Sequence, residues 1–182
     1  YKLEIMEMLM KKPSHVRELA KLVGTNHTTV SRKMLELEKM NVVDYRNEGK
    51  NKVYFIKYSH EAKNYIFITE HYKLMKLLEK YPSLRNVIEK IRDNEKIKLA
   101  LLFGSYAKGL AKENSDIDIF IEGTDRNIRK GLETVNSRLS IKLGNYNKNN
   151  LLIKEINKNH VIIKGVEEYY GKREIFEETC KR

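Results

Sequence analysis

One stretch constrains this chain more than any other: Leu99-Ala-Leu-Leu-Phe-Gly-Ser-Tyr-Ala-Lys-Gly-Leu-Ala-Lys-Glu-Asn-Ser-Asp-Ile-Asp-Ile-Phe-Ile121. It reads as an apolar strand, a tight glycine turn, a short helix, a loop and a second strand. Side chains alternate faces along a strand, so Ile117, Ile119 and Ile121 share one face and Asp116 and Asp118 the other. Two adjacent carboxylates on a rigid element repel unless a cation sits between them. Hard oxygen ligands of this kind suit Mg²⁺, which also takes phosphate oxygens of a substrate. The other half of the stretch fits the same chemistry. Phe103-Gly104-Ser105 ends a strand and opens a helix, where free N–H groups favour phosphate. Gly104 lets the backbone approach an anion closely, and Ser105 adds a hydroxyl donor.

The 182 residues suffice for one or two small domains with real cores. No apolar run reaches the ~20 residues a membrane span needs, and no signal peptide is visible. Cys180 is the sole cysteine, a usage that suits a reducing cytoplasm. The net charge is +11, and the first 60 residues carry 12 Lys and Arg against 7 Asp and Glu. That balance favours a polyanionic partner, although lysine abundance also follows genome composition or adaptation to heat.

The N-terminal third reads as three helices and a hairpin. Residues 3–10 form an apolar-faced helix ended by Pro13, and Ser14 is the expected N-cap of a second helix, His15 to Leu22. Val16, Leu19 and Ala20 point inward. Val23-Gly24-Thr25 is a turn, and Asn26 caps a third helix from His27 to about Met40, with Val30, Met34, Leu35 and Leu37 apolar. Two short helices joined by a glycine-containing turn are the helix-turn-helix layout. Val42–Arg46 and Lys52–Ile56 then read as strands around the turn 47–51, which adds a wing. The third helix would read double-stranded DNA through His27, Thr28, Ser31, Arg32 and Lys33. Arg46, Lys50 and Lys52 on the wing would touch flanking phosphates. Winged helices also serve as protein-docking or dimer modules. His15 and His27 lack partners at metal-ligand spacing and read as surface residues.

Residues 60–80 follow a long helical pattern. Tyr65, Ile68, Tyr72, Met75 and Leu78 make one apolar stripe, which either forms a two-fold dimer or packs within the chain. Pro82 breaks this helix and Ser83 is the expected cap of the next. Ile97 is the expected start of the first strand of the central stretch. After the turn 122–125, Ile128, Leu132, Val135 and Leu139 mark a helix. Ser140–Gly144 reads as a third strand, 149–157 as a helix, 161–165 as a short strand or turn, and the tail from Val166 as a charged helix.

Two resemblances rest on these residues. Gly104-Ser105, ten residues, then Asp116-x-Asp118 is the signature of the DNA polymerase β-type nucleotidyltransferases, and the short form here resembles their minimal members. Val16–Gly24 and Thr29–Glu38 resemble transcription regulators of the MarR/ArsR type over residues 1–58. Together they imply an α/β (α+β) two-domain chain. A winged helix-turn-helix domain would occupy 1–58, a connecting helix that could dimerise 59–81, and a small mixed-sheet nucleotidyltransferase fold 82–182. The nucleotidyltransferase resemblance implies Mg²⁺ on Asp116 and Asp118, which are also the catalytic pair. It implies triphosphate binding by Gly104, Ser105, Lys108 and Gly109, and transfer of a nucleotide from an NTP to a hydroxyl acceptor. Similar minimal nucleotidyltransferases modify a partner toxin, so the acceptor could be a protein. The family normally adds a third carboxylate on the third strand, to complete the metal cluster and act as general base. Here that position aligns with Lys142, and neither Glu122 nor Asp125 replaces it. The alternative is therefore a winged-helix regulator whose second domain is a degenerate nucleotide sensor.

Overall fold

The computed structural model describes residues 1–173, so Cys180 lies outside the described residues. The chain divides into two compact units, one ending at Tyr72 and one beginning at Lys73.

In the first unit, α1 (Lys2–Leu9), α2 (Val16–Val23) and α3 (His27–Lys39) enclose a core of Ile5, Met6, Leu19, Val30, Met34 and Leu37. Gly24 ends α2 in the left-handed conformation at φ 70°, which glycine adopts without a Cβ penalty. Asn26 caps α3 as expected, its side chain accepting from the Thr29 N–H at 2.8 Å. Ser14 behaves otherwise. With His15 it forms a two-residue strand, β1 (Ser14–His15), that pairs with Tyr54 and Val53. His15 occupies the N-cap position of α2 without a capping bond. The wing consists of β2 (Val43–Glu48) and β3 (Asn51–Ile56), antiparallel in a sheet of order β1-β3-β2. Glu48 pairs with Asn51, so the turn is Gly49-Lys50 alone, tighter than the expected five residues. Gly49 takes φ 61°, the glycine-first pattern of a two-residue hairpin. Three helices and this hairpin make a winged helix-turn-helix.

The long helix α4 (His60–Lys80) buries a different stripe from the one its apolar spacing suggests. Ala62, Ile66, Thr69, Leu74 and Leu77 face inward, whereas Ile68 and Met75 are 50% and 60% exposed. Thr69 fits the buried face because its hydroxyl donates to the Tyr65 carbonyl at 2.7 Å.

The second unit holds a short 3-10 turn at Pro82–Leu84 and α5 (Arg85–Asp93). Leu84 rather than Ser83 takes the N-cap position of α5, because the 3-10 turn carries the chain past the serine. There follow β4 (Ala100–Phe103), α6 (Gly104–Ala107), β5 (Ile117–Glu122), α7 (Arg126–Glu133), β6 (Leu139–Gly144), α8 (Leu151–Lys158), β7 (Val161–Lys164) and α9 (Val166–Arg173). The first of these strands begins three residues later than Ile97. Leu139 opens β6 rather than extending α7, which stops at Glu133.

The four strands run in the order β6-β5-β4-β7, with β5 and β6 parallel and the other pairs antiparallel. The expected isoleucine face of β5 is realised. Ile117, Ile119 and Ile121 join Leu102, Ile141 and Ile163 against Val87, Ile88 and Ile91 of α5 and Leu132 of α7. Alternate residues Leu101, Phe120 and Ile162 are buried too, so both faces of the sheet are covered. The unit is a mixed α/β layer structure.

Candidate nucleotide and metal site

Asp118 sits inside the sheet. It faces Phe103 across the antiparallel β4–β5 pair and Ser140 across the parallel β5–β6 pair. The glycine after Phe103 is fixed by this arrangement. Gly104 has φ 71°, and a Cβ built on it would overlap the Asp118 carboxylate oxygen Oδ2. No side chain fits there, for reasons of both dihedral and space. The sequence spacing therefore encodes a contact: the glycine turn lies directly on the second aspartate.

The turn is compact. Leu110 donates its N–H to the Ser105 carbonyl at 2.9 Å, and Gly109, at φ 70°, donates to Tyr106 at 3.0 Å. Lys80 Nζ donates to the Gly109 carbonyl at 2.8 Å, which anchors the turn from the last turn of α4. Tyr106 is buried, edge-on to Tyr81 at 4.9 Å. One expectation needs correcting. α6 is a single turn of four residues, too short to build a macrodipole. Without a macrodipole, the groups here that could meet an anion are backbone N–H groups of the turn and the half-buried Ser105 hydroxyl. Lys108 is exposed beside it.

Asp116 precedes β5 by one residue and is exposed, whereas Asp118 lies within the strand and is half-buried. Burial pushes the Asp118 carboxyl above its ordinary range; the Ser140 hydroxyl opposes this, Asp116 adds to it, and Lys142 pulls it down. A carboxylate held up by desolvation and by a like charge gains from a cation beside it, so the Asp116/Asp118 pair fits a divalent metal. Among the described residues no group of three or more His, Cys, Asp and Glu converges. The parallel register fixes which residues of β6 lie beside Asp118. Ser140 is the residue paired with Asp118, whereas Lys142 pairs with Phe120, one step further along the same face. Local spacing points to Lys142 and not to Ser140, because the parallel register is a long-range property.

In the first unit, His27, Thr28 and Arg32 are exposed on α3 and Ser31 is half-buried. Lys33 is committed within the chain: its ammonium lies 2.9 Å from Glu36, which also holds Lys2 at 2.8 Å. These two ammonium groups lower the Glu36 carboxyl to about 2. On the wing Arg46 pairs with Glu48 at 2.9 Å, and Lys52 lies 3.6 Å from the centre of the Tyr45 ring. Lys50 is exposed at the turn.

Residues 85–168 match the family described as "Polymerase beta, Nucleotidyltransferase", and residues 1–61 match the family HVO_A0114. A 39-residue segment is 49% identical to MJ1215 of Methanocaldococcus jannaschii, described as a candidate protein adenylyltransferase. That segment is 21% of this chain and spans 45% of the relative's length. Among solved structures, the homodimeric winged helix-turn-helix DNA-binding domain of Mb0332 from Mycobacterium bovis, a candidate ArsR-family regulator, is 27% identical at a TM-score of 0.35. The match covers 37% of this chain and 62% of that one. The transcriptional repressor BigR from Xylella fastidiosa is 18% identical at 0.34, covering 46% and 74%. A toxin–antitoxin structure with AMP-PNP is 18% identical at 0.31, covering 62% and 98%. The winged-helix assignment rests on this chain's own topology rather than on these scores. The second unit is a nucleotidyltransferase domain of the polymerase β type. It follows a winged helix in the same chain.

Proposed function

We propose that this chain binds a nucleoside triphosphate with Mg²⁺ at the Gly104–Asp118 contact and transfers a nucleotide to a hydroxyl acceptor: the hydroxyl oxygen bonds to the α-phosphorus, the α–β phosphoanhydride bond breaks, pyrophosphate leaves and the hydroxyl proton passes to solvent. Backbone N–H groups at the start of the turn, at Gly104 and Ser105, with the Ser105 hydroxyl and the Lys108 ammonium, hold the triphosphate, and Gly109 shapes the turn. Asp116 and Asp118 hold the metal, which when bound neutralises phosphate charge and orients the reacting phosphate. The chain's own part is positioning: the glycine turn fixes the phosphates beside the aspartates and excludes other placements. The observation that carries this reading is the glycine whose missing Cβ makes room for the Asp118 carboxylate. The description of MJ1215 supports AMP as the transferred group and a protein as acceptor.

The winged helix supplies the second half of the proposal. Arg32, with His27, Thr28 and Ser31, reads a major groove, and Lys50 reaches phosphate. Lys33, Arg46 and Lys52 serve DNA only after giving up the partners described above. The exposed Ile68 and Met75 on α4 support a homodimer. The protein then acts as a regulator in the cytoplasm. Among the described residues no helix is long and apolar enough to cross a membrane.

A second reading is favoured by one observation. Ser140 and Lys142 stand where a carboxylate would act as base, which supports a nucleotide sensor without turnover. Incubating the chain with labelled NTPs, Mg²⁺ and cell extract separates the two. Labelled product that disappears in Asp116→Ala/Asp118→Ala supports transfer. Nucleotide binding without any labelled product supports the sensor.

A further inference from the structure

Among the described residues β6 is the outer strand of its sheet, and its open edge borders a groove of about 760 Å³. Arg126, Arg129 and Lys130 of α7 line it, Lys142 enters from β6 itself, and Leu143 and Leu152 add aliphatic surface. The single carboxylate in the lining, Glu133, is held by Arg129 at 2.6 Å. Arg126 and Lys130 have no ion-pair partner among the described residues, and Lys142, which acts on Asp118 through space, is in no ion pair there either.

A lysine on an edge strand often serves only to prevent pairing with other chains. Lys142 alone would meet that need. Three further cations from another element gather at the same edge, and a protective role does not require them. Three properties thus coincide at one place: an edge strand whose outward backbone groups can accept a further strand, unpaired positive charge, and half-buried leucines.

The geometry points to a docking site for an acidic, extended segment of a partner protein, added as a strand along β6. Main-chain hydrogen bonds to the edge supply affinity, and alternate side chains supply specificity. Acidic side chains meet Arg126, Lys130 and Lys142, where the arginine fork suits a carboxylate. Small apolar side chains between them lie on Leu143 and Leu152. A single-stranded nucleic acid gains its affinity from base stacking on aromatic side chains, whereas this lining is aliphatic and cationic. That contrast selects a peptide. Docking along β6 needs no turnover at Asp116 and Asp118, although Lys142 borders both the groove and Asp118.

The test uses the intact chain and a fluorescein-labelled peptide of five Glu-Val repeats, followed by anisotropy. Hydrogen exchange of the Leu139–Gly144 amides is measured alongside. The expected result is binding that slows exchange along β6 and weakens roughly tenfold or more in Arg126→Glu/Lys130→Glu, as like charges repel. Lys142→Glu gives a second, independent reversal of charge, and thermal melts confirm that each variant is folded. Five Glu-Pro repeats, which cannot pair as a strand, should bind at least about tenfold more weakly. The proposal is overturned by no binding up to about 1 mM peptide. It is equally overturned by unchanged affinity in the folded variants, by equal binding of the proline peptide, or by unchanged exchange along β6. Tighter binding of decathymidylate, or displacement of the peptide by equimolar inorganic triphosphate, would assign the groove to nucleic acid or phosphate instead.

Discussion

The two units carry their candidate sites in opposite ways. In the winged helix, the candidate residues are side chains projecting from regular elements, and their neighbours can change without altering the backbone. In the nucleotidyltransferase domain, the site is made by backbone: a glycine turn laid on a carboxylate, with no room for a single added carbon. The first kind of site tunes affinity residue by residue. The second kind is all or nothing, because the contact proposed to position the ligand is also part of the packing. Intramolecular charge deepens the contrast. Lys33 and Arg46 are each held by a glutamate, whereas Asp118 is left beside another aspartate and takes only partial relief from Ser140 and Lys142.

Substitution in the backbone-made site should cost the most. Gly104→Ala should lower the stability of the second unit by about 1–3 kcal/mol, through strain at positive φ and collision with Asp118. It should also weaken triphosphate binding at least about tenfold. Denaturant melts and calorimetry check both, and a variant with unchanged melting would break the proposed distinction between the units.

Acid should separate the units next. His160 Nδ1 donates to the Ile156 carbonyl at 3.1 Å, while its Nε2 is buried without a partner among the described residues. Burial, with the positive charges of Lys73 and Arg173, lowers this imidazole from 6.5 to about 3. Above pH 6.5 the group is neutral both folded and unfolded, so it leaves stability flat. As pH falls from 6.5 toward 3, the unfolded chain takes up a proton that the folded chain refuses, and stability drops. The loss should reach a few kcal/mol at most, and His160→Phe should flatten the profile. Melts between pH 7 and 4, with probes in each unit, would show the second unit failing first. Parallel loss in both units would contradict the assignment.

Smaller effects belong to the winged helix. Arg32→Ala should weaken duplex binding by about 1–2 kcal/mol and reduce the salt slope. Lys33→Ala should cost less than Arg32→Ala, because removing it gives up a contact that Glu36 already competes for. Neither should shift melting by more than about 0.5 kcal/mol. Affinity measured against salt concentration checks the order, and a larger effect at Lys33 would show that its glutamate pair opens on DNA.

The contrast also explains what could be read from the sequence. The glycine turn, the two aspartates and the isoleucine face were legible, because strand periodicity and positive-φ glycine are local properties. The helix-turn-helix was legible for the same reason, in Gly24 and the Asn26 cap. Tertiary pairing decided the rest. Ser14 has the chemistry of a cap, but the edge of β3 draws it into a strand. Along α4, two apolar faces compete: spacing alone favours Tyr65, Ile68, Tyr72, Met75 and Leu78, of which Leu78 packs against the core, whereas Ala62, Ile66, Leu74 and Leu77 are the buried positions. Leu139 continues the apolar spacing of α7 but starts β6. Ser140 beside Asp118 and the groove along β6 depend on register and on elements distant in sequence, so no local pattern announces them.

Gly104 and Asp118 are proposed to form together a metal-dependent nucleotide site. Calorimetric titration of ATP into the intact chain, with and without Mg²⁺, tests it most directly beside Asp116→Ala/Asp118→Ala. The predicted result is binding that strengthens at least about tenfold with Mg²⁺ and loses that enhancement in the variant. Binding that is indifferent to Mg²⁺, or unchanged in a folded Asp116→Ala/Asp118→Ala chain, would contradict it.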